Sequence, residues 1–534
     1  MPLEVDARTL RRWLGDGKEL ALLDVRDGGA YARDHIVVAT SAPRESFETS
    51  IPRLVPRRST RVVVTDDDGR DAEIAAGFLE SCGYDNVHVL RGGNAAWVAE
   101  GYLLFSGSNI VSKVFGEIVE LRCDTPHIDA STLDQWTKKG RRFHLFDVRP
   151  LAEFRTVSIP GATNCPGMEV VLRIPAQLKD PSIPVVVNCA GRTRSIIGAQ
   201  SLREVGLKNP VFALENGTMG WELSGFAPDH GQSTVVTEPF GSDLSAAHDA
   251  ARNLAERHGV RFVDVEALQS YLDDYSRTTY VFDVRLPEAF FLGRFPGSVN
   301  APGGQLIQST DAFAAVRNAR IVVIDEHEVQ AVVTAHWLGR MGWEVVVLGN
   351  PLEHLTEQGR ETRHTLVEPH PSARPIDVES LQALIASDVC SIVDVGESYW
   401  YRQERISGSF YAMRSRLETA LVRFPKNHPL VFCCSTGARS PFAASDAIAL
   451  GFTDVHWLEG GRAAWRRAGG DFESIGDSDD ALLLTPTDDM WYPPWARADG
   501  AREAMREYLT WEVGLVDRLA GEEYLRFSAE FSIA

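Results

Sequence analysis

Residues 184–195, PVVVNCAGRTRS, decide the fold. The valines suit a strand buried on both faces of a sheet. Asn188 and Cys189 end the run, a short glycine- and arginine-containing loop follows, and a helical stretch begins near Ser195. The same succession occurs four times: RVVVT before Asp66, PVVVN before Cys189, RIVVI before Asp325 and PLVFC before Cys434. Upstream, the apolar runs LLDVR, LFDVR, VFDVR and IVDVG close on Asp24, Asp147, Asp283 and Asp394, which precede the loop positions by 42, 42, 42 and 40 residues. Further upstream, Asp6, Asp129, Asp264 and Asp377 stand where a helix N-cap belongs, each with a leucine four residues on. Gly83, Gly206, Gly342 and Gly451 each lie 17 residues after the loop position, where a helix would end on a residue of positive φ. A last strand leads to Trp97, Trp221, Leu355 and Trp465 at one shared position, read as packing residues.

A repeat at fixed spacing is one structural unit used several times. Each unit alternates helices and strands, which predicts an α/β fold with a mainly parallel central sheet flanked by helices. The expected divisions are 1–108, 109–232, 233–365 (opening with a linker helix near 242–259), 366–480 and a C-terminal extension, 481–534. The extension contains WYPPW at 491–495, read as a docking turn, and an amphipathic stretch near 501–519. It is expected to pack on the last unit or at a domain interface.

Composition is that of a globular chain, 44% hydrophobic and 24% charged. No apolar run reaches the roughly 18 residues that span a bilayer, and the N-terminal stretch lacks the apolar core of a secretory signal. A net charge of −20 argues against a nucleic-acid partner. Seven cysteines at irregular spacing, without a CxxC pair, fit a reduced, cytoplasmic compartment and no disulfide framework. No Cys/His cluster has zinc-ligand spacing, so neither metal nor cofactor is expected.

The second unit reads FDVRPLAEFRTVSIPGATNCP, VVVNCAGRTRS and LENGTMGW, and the fourth reads IVDVGESYWY, VFCCSTGARS and LEGGRAAW. These motifs resemble those of the rhodanese (sulfurtransferase) family, over roughly residues 1–480, in the layout of bacterial proteins with four such domains in tandem. Two positions depart from the family pattern: Ser158 stands where histidine is common, and Gly396 replaces the arginine of DVR. The resemblance implies four tandem rhodanese-like domains and sulfane sulfur transfer from thiosulfate, or a similar small anionic donor, to a thiol or cyanide. A thiol-bearing protein is a further candidate acceptor, and the lack of a long apolar run leaves no membrane partner expected. Because two-domain rhodaneses pack an inactive domain on an active one, it also implies that unit one pairs with two, and three with four.

The chemistry expected at Cys189 and Cys434 follows from their place. Ligand sites in open α/β sheets fall at the carboxyl ends of strands, and a loop entering a helix gathers N–H groups around an anion. That field favours a thiolate, the nucleophilic form of cysteine. Arg192, Arg194 and Ser195 are the candidate substrate-binding residues of the first loop, with two guanidinium groups suited to an oxoanion. Gly437, Arg439 and Ser440 are those of the second. The first loop has the stronger cationic complement. The plainer alternative makes the cysteines buried apolar residues and leaves Arg194 and Arg439 to neutralise nearby carboxylates. Cys165 is expected in the core, and Cys433 on the opposite strand face from Cys434. Asp66 and Asp325 replace the cysteine in units one and three, whose acidic loops would repel an oxoanion. Phosphatases and arsenate reductases of related fold use a C-x5-R loop, whereas both loops here are C-x4-R. A non-catalytic binding or regulatory module is the remaining alternative.

Overall fold

The computed structural model describes residues 2–359, 361, 362, 364–474, 480–497 and 500–532. In the second repeat, strands His127–Ile128, His144–Asp147, Thr163–Asn164, Val185–Asn188 and Val211–Leu214 lie parallel in the spatial order first, fifth, fourth, second, third. The other repeats keep this order among their own five strands. The fourth repeat adds an antiparallel pair, Arg405–Ile406 with Phe472–Glu473. The strand that leads into each loop is central and wholly buried: Val62–Thr65, Val185–Asn188, Arg320–Ile324 and Leu430–Cys433. Chain reversal at the carboxyl end of these strands puts all four loop positions at the sheet edge where helices begin.

Local sequence signals act as expected. The carboxylates of Asp6, Asp129, Asp264 and Asp377 accept the N–H three residues on, at 2.6–2.8 Å. Gly83, Gly206, Gly342 and Gly451 all have φ between 82° and 91°. Trp97, Trp221 and Trp465 are buried, and each indole N–H donates to the carbonyl six residues on, at 2.9–3.0 Å. Cys433 and Cys434 belong to core clusters on opposite faces of the fourth sheet. Cys165 is core, with its thiol pushed well above the usual range by burial. All seven cysteines are free. Among the described residues, no helix is long and apolar enough to cross a membrane.

The pairing of repeats differs from expectation. The chain forms two compact units: residues 1–10, 21–108 and 363–492 in one, and 11–20, 109–362 and 493–534 in the other. The first and fourth repeats therefore share one unit, and the second and third share the other. Within both, the contact is made by the same segment, which starts twenty residues past the strand aspartate. In the first unit Glu45 accepts the N–H groups of Arg414 and Ser415 at 2.9 and 3.0 Å, and Arg414 grips Glu48 through two bonds of 2.6 and 2.8 Å. In the second, Gly167 and Gly304 approach so closely that a Cβ on Gly304 would lie 2.4 Å from the Gly167 Cα. Sequence order could not reveal this, because the deciding residues lie far apart in the chain and differ between the units.

The Arg414–Glu48 pair is buried on both sides. Burial works against the Glu48 carboxylate, but Arg414 outweighs it and holds its pKa below the usual range. Arg414→Met leaves the buried Glu48 with only the half-exposed Arg44, 2.8 Å away, as its cationic partner and is expected to destabilise the first unit by about 3 kcal/mol, with Glu48→Met recovering part of that loss in the double variant. Urea denaturation of the three variants checks this.

Candidate active site

In the fourth repeat the strand Leu430–Cys433 delivers Cys434 to the loop, and the helix Ser440–Ala449 begins six residues on. Cys434 itself is buried, but Thr436 is exposed and Ser435, Gly437, Ala438 and Arg439 are partly so. The Arg439 N–H donates to Cys434 Sγ at 3.4 Å, and Ser440 Oγ lies 3.8 Å from the sulfur. Gly437 has φ 77°, and a Cβ there would come 2.9 Å from the Gly460 nitrogen, so the turn requires glycine twice over. The Arg439 guanidinium sits 3.2 Å from Glu397 and remains partly exposed.

The second repeat builds the same turn but closes it. Every residue from Cys189 to Thr193 is buried, and Arg194 is partly so. Ser195 Oγ lies 3.5 Å from Cys189 Sγ and donates to the Arg192 carbonyl at 2.7 Å. The two arginines do not flank the sulfur as free cations. Arg192 binds Glu117 through two bonds of 2.7 and 2.8 Å and also meets Glu120. Arg194 binds Glu153 through two bonds of 2.8 and 2.9 Å. Burial pushes the Cys189 thiol up, although the charge of Arg194 pulls in the other direction.

The cover over Cys189 is the C-terminal extension, which packs on the second repeat and not only on the last. Residues 480–492 lie in the unit of the fourth repeat, where Leu484 donates to the Tyr411 carbonyl. The helix Ala501–Val513 lies instead against the Cys189 loop. Met505 and Leu509 pack on Met219 and Tyr508. Glu512 accepts a 2.9 Å bond from Thr193 Oγ1. Its other carboxylate oxygen and the Tyr508 ring lie 3.4 and 3.7 Å from where a Cβ on Gly191 would stand. No local motif in the sequence marks Glu512 or Tyr508 for this place, since only the amphipathic spacing of the helix is legible.

The two repeats with aspartate at the loop position show which N–H groups the turn gathers. The Asp66 carboxylate accepts N–H groups from Gly69, Asp71 and Ala72. Asp325 accepts those of His327, Val329 and Ala331 at 2.9–3.2 Å. Each aspartate thus places its own carboxylate on three backbone N–H groups of its loop. Burial raises the Asp325 pKa to about 7, helped by the charge of Asp283 and opposed by the three N–H donors.

A cysteine presented at the end of a central parallel strand, on a loop that runs into a helix, defines an α/β protein built for anion or sulfur chemistry at that edge. The chain belongs to the rhodanese-like domain family, which it matches over residues 6–100, 129–224, 264–351 and 377–468. A crystal structure described as a thiosulfate sulfurtransferase from Pseudomonas aeruginosa is similar over 98% of this chain and 99% of its own, at 38% identity and a TM-score of 0.90. The thiosulfate sulfurtransferase GlpE of Shewanella oneidensis is 29% identical over 97 residues, 18% of this chain and 96% of that protein. The adenylyltransferase and sulfurtransferase MOCS3 of Drosophila sechellia is 38% identical over 82 residues, and the chain spans 18% of its length. Family and whole-length likeness together make the chain a rhodanese-type transferase.

Limiting iodoacetamide is expected to modify Cys434 before Cys189, read by peptide mass spectrometry. Tyr508→Ala combined with Glu512→Gln should speed modification of Cys189 about tenfold or more while leaving Cys434 unchanged. For Asp325, folding raises the pKa from about 4 to about 7, so the folded state keeps a proton that the unfolded state loses. Its contribution to stability is therefore present below about pH 4 and falls as pH rises to about 7. Asp325→Asn should flatten the stability-against-pH curve across that window relative to the parent protein.

Proposed function

We propose that the chain moves sulfane sulfur from thiosulfate, or a similar anionic donor, to a thiol or cyanide through a persulfide on Cys434. The observation that carries this is the contrast between the loops: Cys434 lies under a partly exposed turn with an N–H on its sulfur, whereas the Cys189 loop is covered. The cationic count had favoured Cys189, but its arginines are engaged by Glu117, Glu120 and Glu153.

In the first step the Cys434 thiolate attacks the outer sulfur of thiosulfate. The sulfur–sulfur bond of the donor breaks, sulfite leaves with the electron pair, and Cys434 becomes a persulfide. In the second, a thiolate or cyanide attacks the terminal persulfide sulfur and releases the Cys434 thiolate. Gly437 gives the turn, while Arg439 and Ser440 offer charge and donors to the oxoanion end of the donor and then to the persulfide. Arg192, Arg194 and Ser195 form the matching set at Cys189, for use once the C-terminal helix is displaced. A C-x4-R turn encloses less space than the C-x5-R turn of the related phosphatases, which favours sulfur over phosphate. Seven free cysteines suit a reducing compartment such as the cytoplasm, and a thiol-bearing protein is a natural acceptor there.

Mixing the protein with thiosulfate is expected to add about 32 Da, one sulfur atom, to the intact mass and to release sulfite before any acceptor is present. Cys434→Ser should abolish the adduct and Cys189→Ser should keep it. An adduct that survives Cys434→Ser moves the reaction to another residue. Absence of any adduct, with neither cysteine reacting faster than a model thiol, supports a non-catalytic binding module.

A further inference from the structure

In the first three repeats, the arginine two residues after the strand aspartate folds back on it. Arg26, Arg149 and Arg285 donate to Asp24, Asp147 and Asp283 at 2.6–2.7 Å. Each also donates to the carbonyl ten residues past that aspartate: Asp34, Val157 and Gly293. In two of them the same guanidinium reaches the residue directly after the loop position, Arg26 to Asp67 at 2.6 Å and Arg285 to Glu326 at 3.3 Å. The fourth repeat has Gly396 in that place.

A different arginine occupies the vacated space. Arg462 enters from the first turn of the helix Gly461–Arg467, is buried, and sits where Asn94 and Thr218 stand in the first two repeats. Its Nη1 donates to the carbonyl of Glu404, again ten residues past the strand aspartate, at 2.8 Å. Its Nε lies 3.3 Å from Asp394 Oδ2. Its Nη2 donates to Ser435 Oγ at 2.9 Å, and Ser435 directly follows Cys434. A Cβ on Gly396 would stand 3.2 Å from that Nη2, so the glycine and the relocated arginine fit together. In the first and third repeats the third link ends on a carboxylate, which adds a second negative charge to that of the strand aspartate. Here it ends on a neutral hydroxyl of the working loop.

We propose that Arg462 is the positioning residue of the Cys434 loop, standing in for the arginine missing at position 396 and anchoring the loop through Ser435. The proposal rests on Cys434 as the sulfur carrier, but its test does not depend on sulfur transfer.

The rate of iodoacetamide alkylation at Cys434, measured against pH in the full-length chain, reads the geometry of the loop directly. Arg462→Asn is expected to slow alkylation about tenfold and move its pH profile upward. Ser435→Ala should do much the same, and the double variant should add little to either, the mark of residues acting as one unit. Adding Gly396→Arg to Arg462→Asn restores the arrangement of the first repeat and should return the rate to within about threefold of the parent. A folded Arg462→Asn variant with the parent's rate and pH profile overturns the proposal, as does a Gly396→Arg, Arg462→Asn double variant no faster than Arg462→Asn. If Arg462→Asn does not fold, Arg462→Lys keeps the charge without the planar fork that spans three acceptors. Slowing in Arg462→Lys supports the proposal, and parent-like alkylation overturns it. Thiosulfate loading run in parallel separates the two conclusions: no persulfide in the parent overturns the reaction, while the alkylation rates still decide the role of Arg462.

Discussion

Backbone N–H groups that turn toward one point at the end of a buried strand need an acceptor, and an unmet donor there costs about 1–3 kcal/mol. The four repeats meet this demand in three ways. Asp66 and Asp325 insert their own carboxylates, with three N–H bonds each. Cys434 offers a sulfur under a partly exposed turn. Cys189 offers a sulfur beneath a helix, with Glu512 bonded to the loop at Thr193. The same backbone geometry thus holds two carboxylates and two buried sulfurs, one beneath a partly exposed turn and one beneath a helix.

Charge near these loops is governed by pairing more than by count. Two arginines beside Cys189 suggest a strongly cationic pocket, yet three glutamates engage them. Arg439 beside Cys434 stays partly exposed, and its charge also bears on Glu45 of the first repeat, whose pKa burial raises. The first repeat, without a cysteine of its own at the loop position, is therefore part of the electrostatic surroundings of the fourth. The first repeat keeps the fold without the cysteine, and its Glu45 and Glu48 bind Arg414 of the fourth.

Much of the architecture was legible because it is local. Capping aspartates, glycines of positive φ and buried valine runs act within a few residues, and their recurrence revealed four repeats. The Gly396 departure is visible in the sequence too, but its compensation by Arg462 has no local signal, because the two lie 66 residues apart and their approach in space connects them. Comparing the four repeats position by position would have revealed an arginine where Asn94 and Thr218 stand.

The sequence by itself determined the repeated α/β unit, the placement of Cys189 and Cys434 at strand ends and the absence of cysteine from the other two loops, since strand burial and helix capping depend on neighbours in the chain. Tertiary structure alone decided which repeats share a unit, where Arg192 and Arg194 point and what lies over Cys189. Those outcomes depend on Arg414 meeting Glu48, Arg192 meeting Glu117 and Thr193 meeting Glu512. The partners are 366, 75 and 319 residues apart, so no periodicity or motif encodes their approach. The place of each loop cysteine was local information, and what packs over it was not.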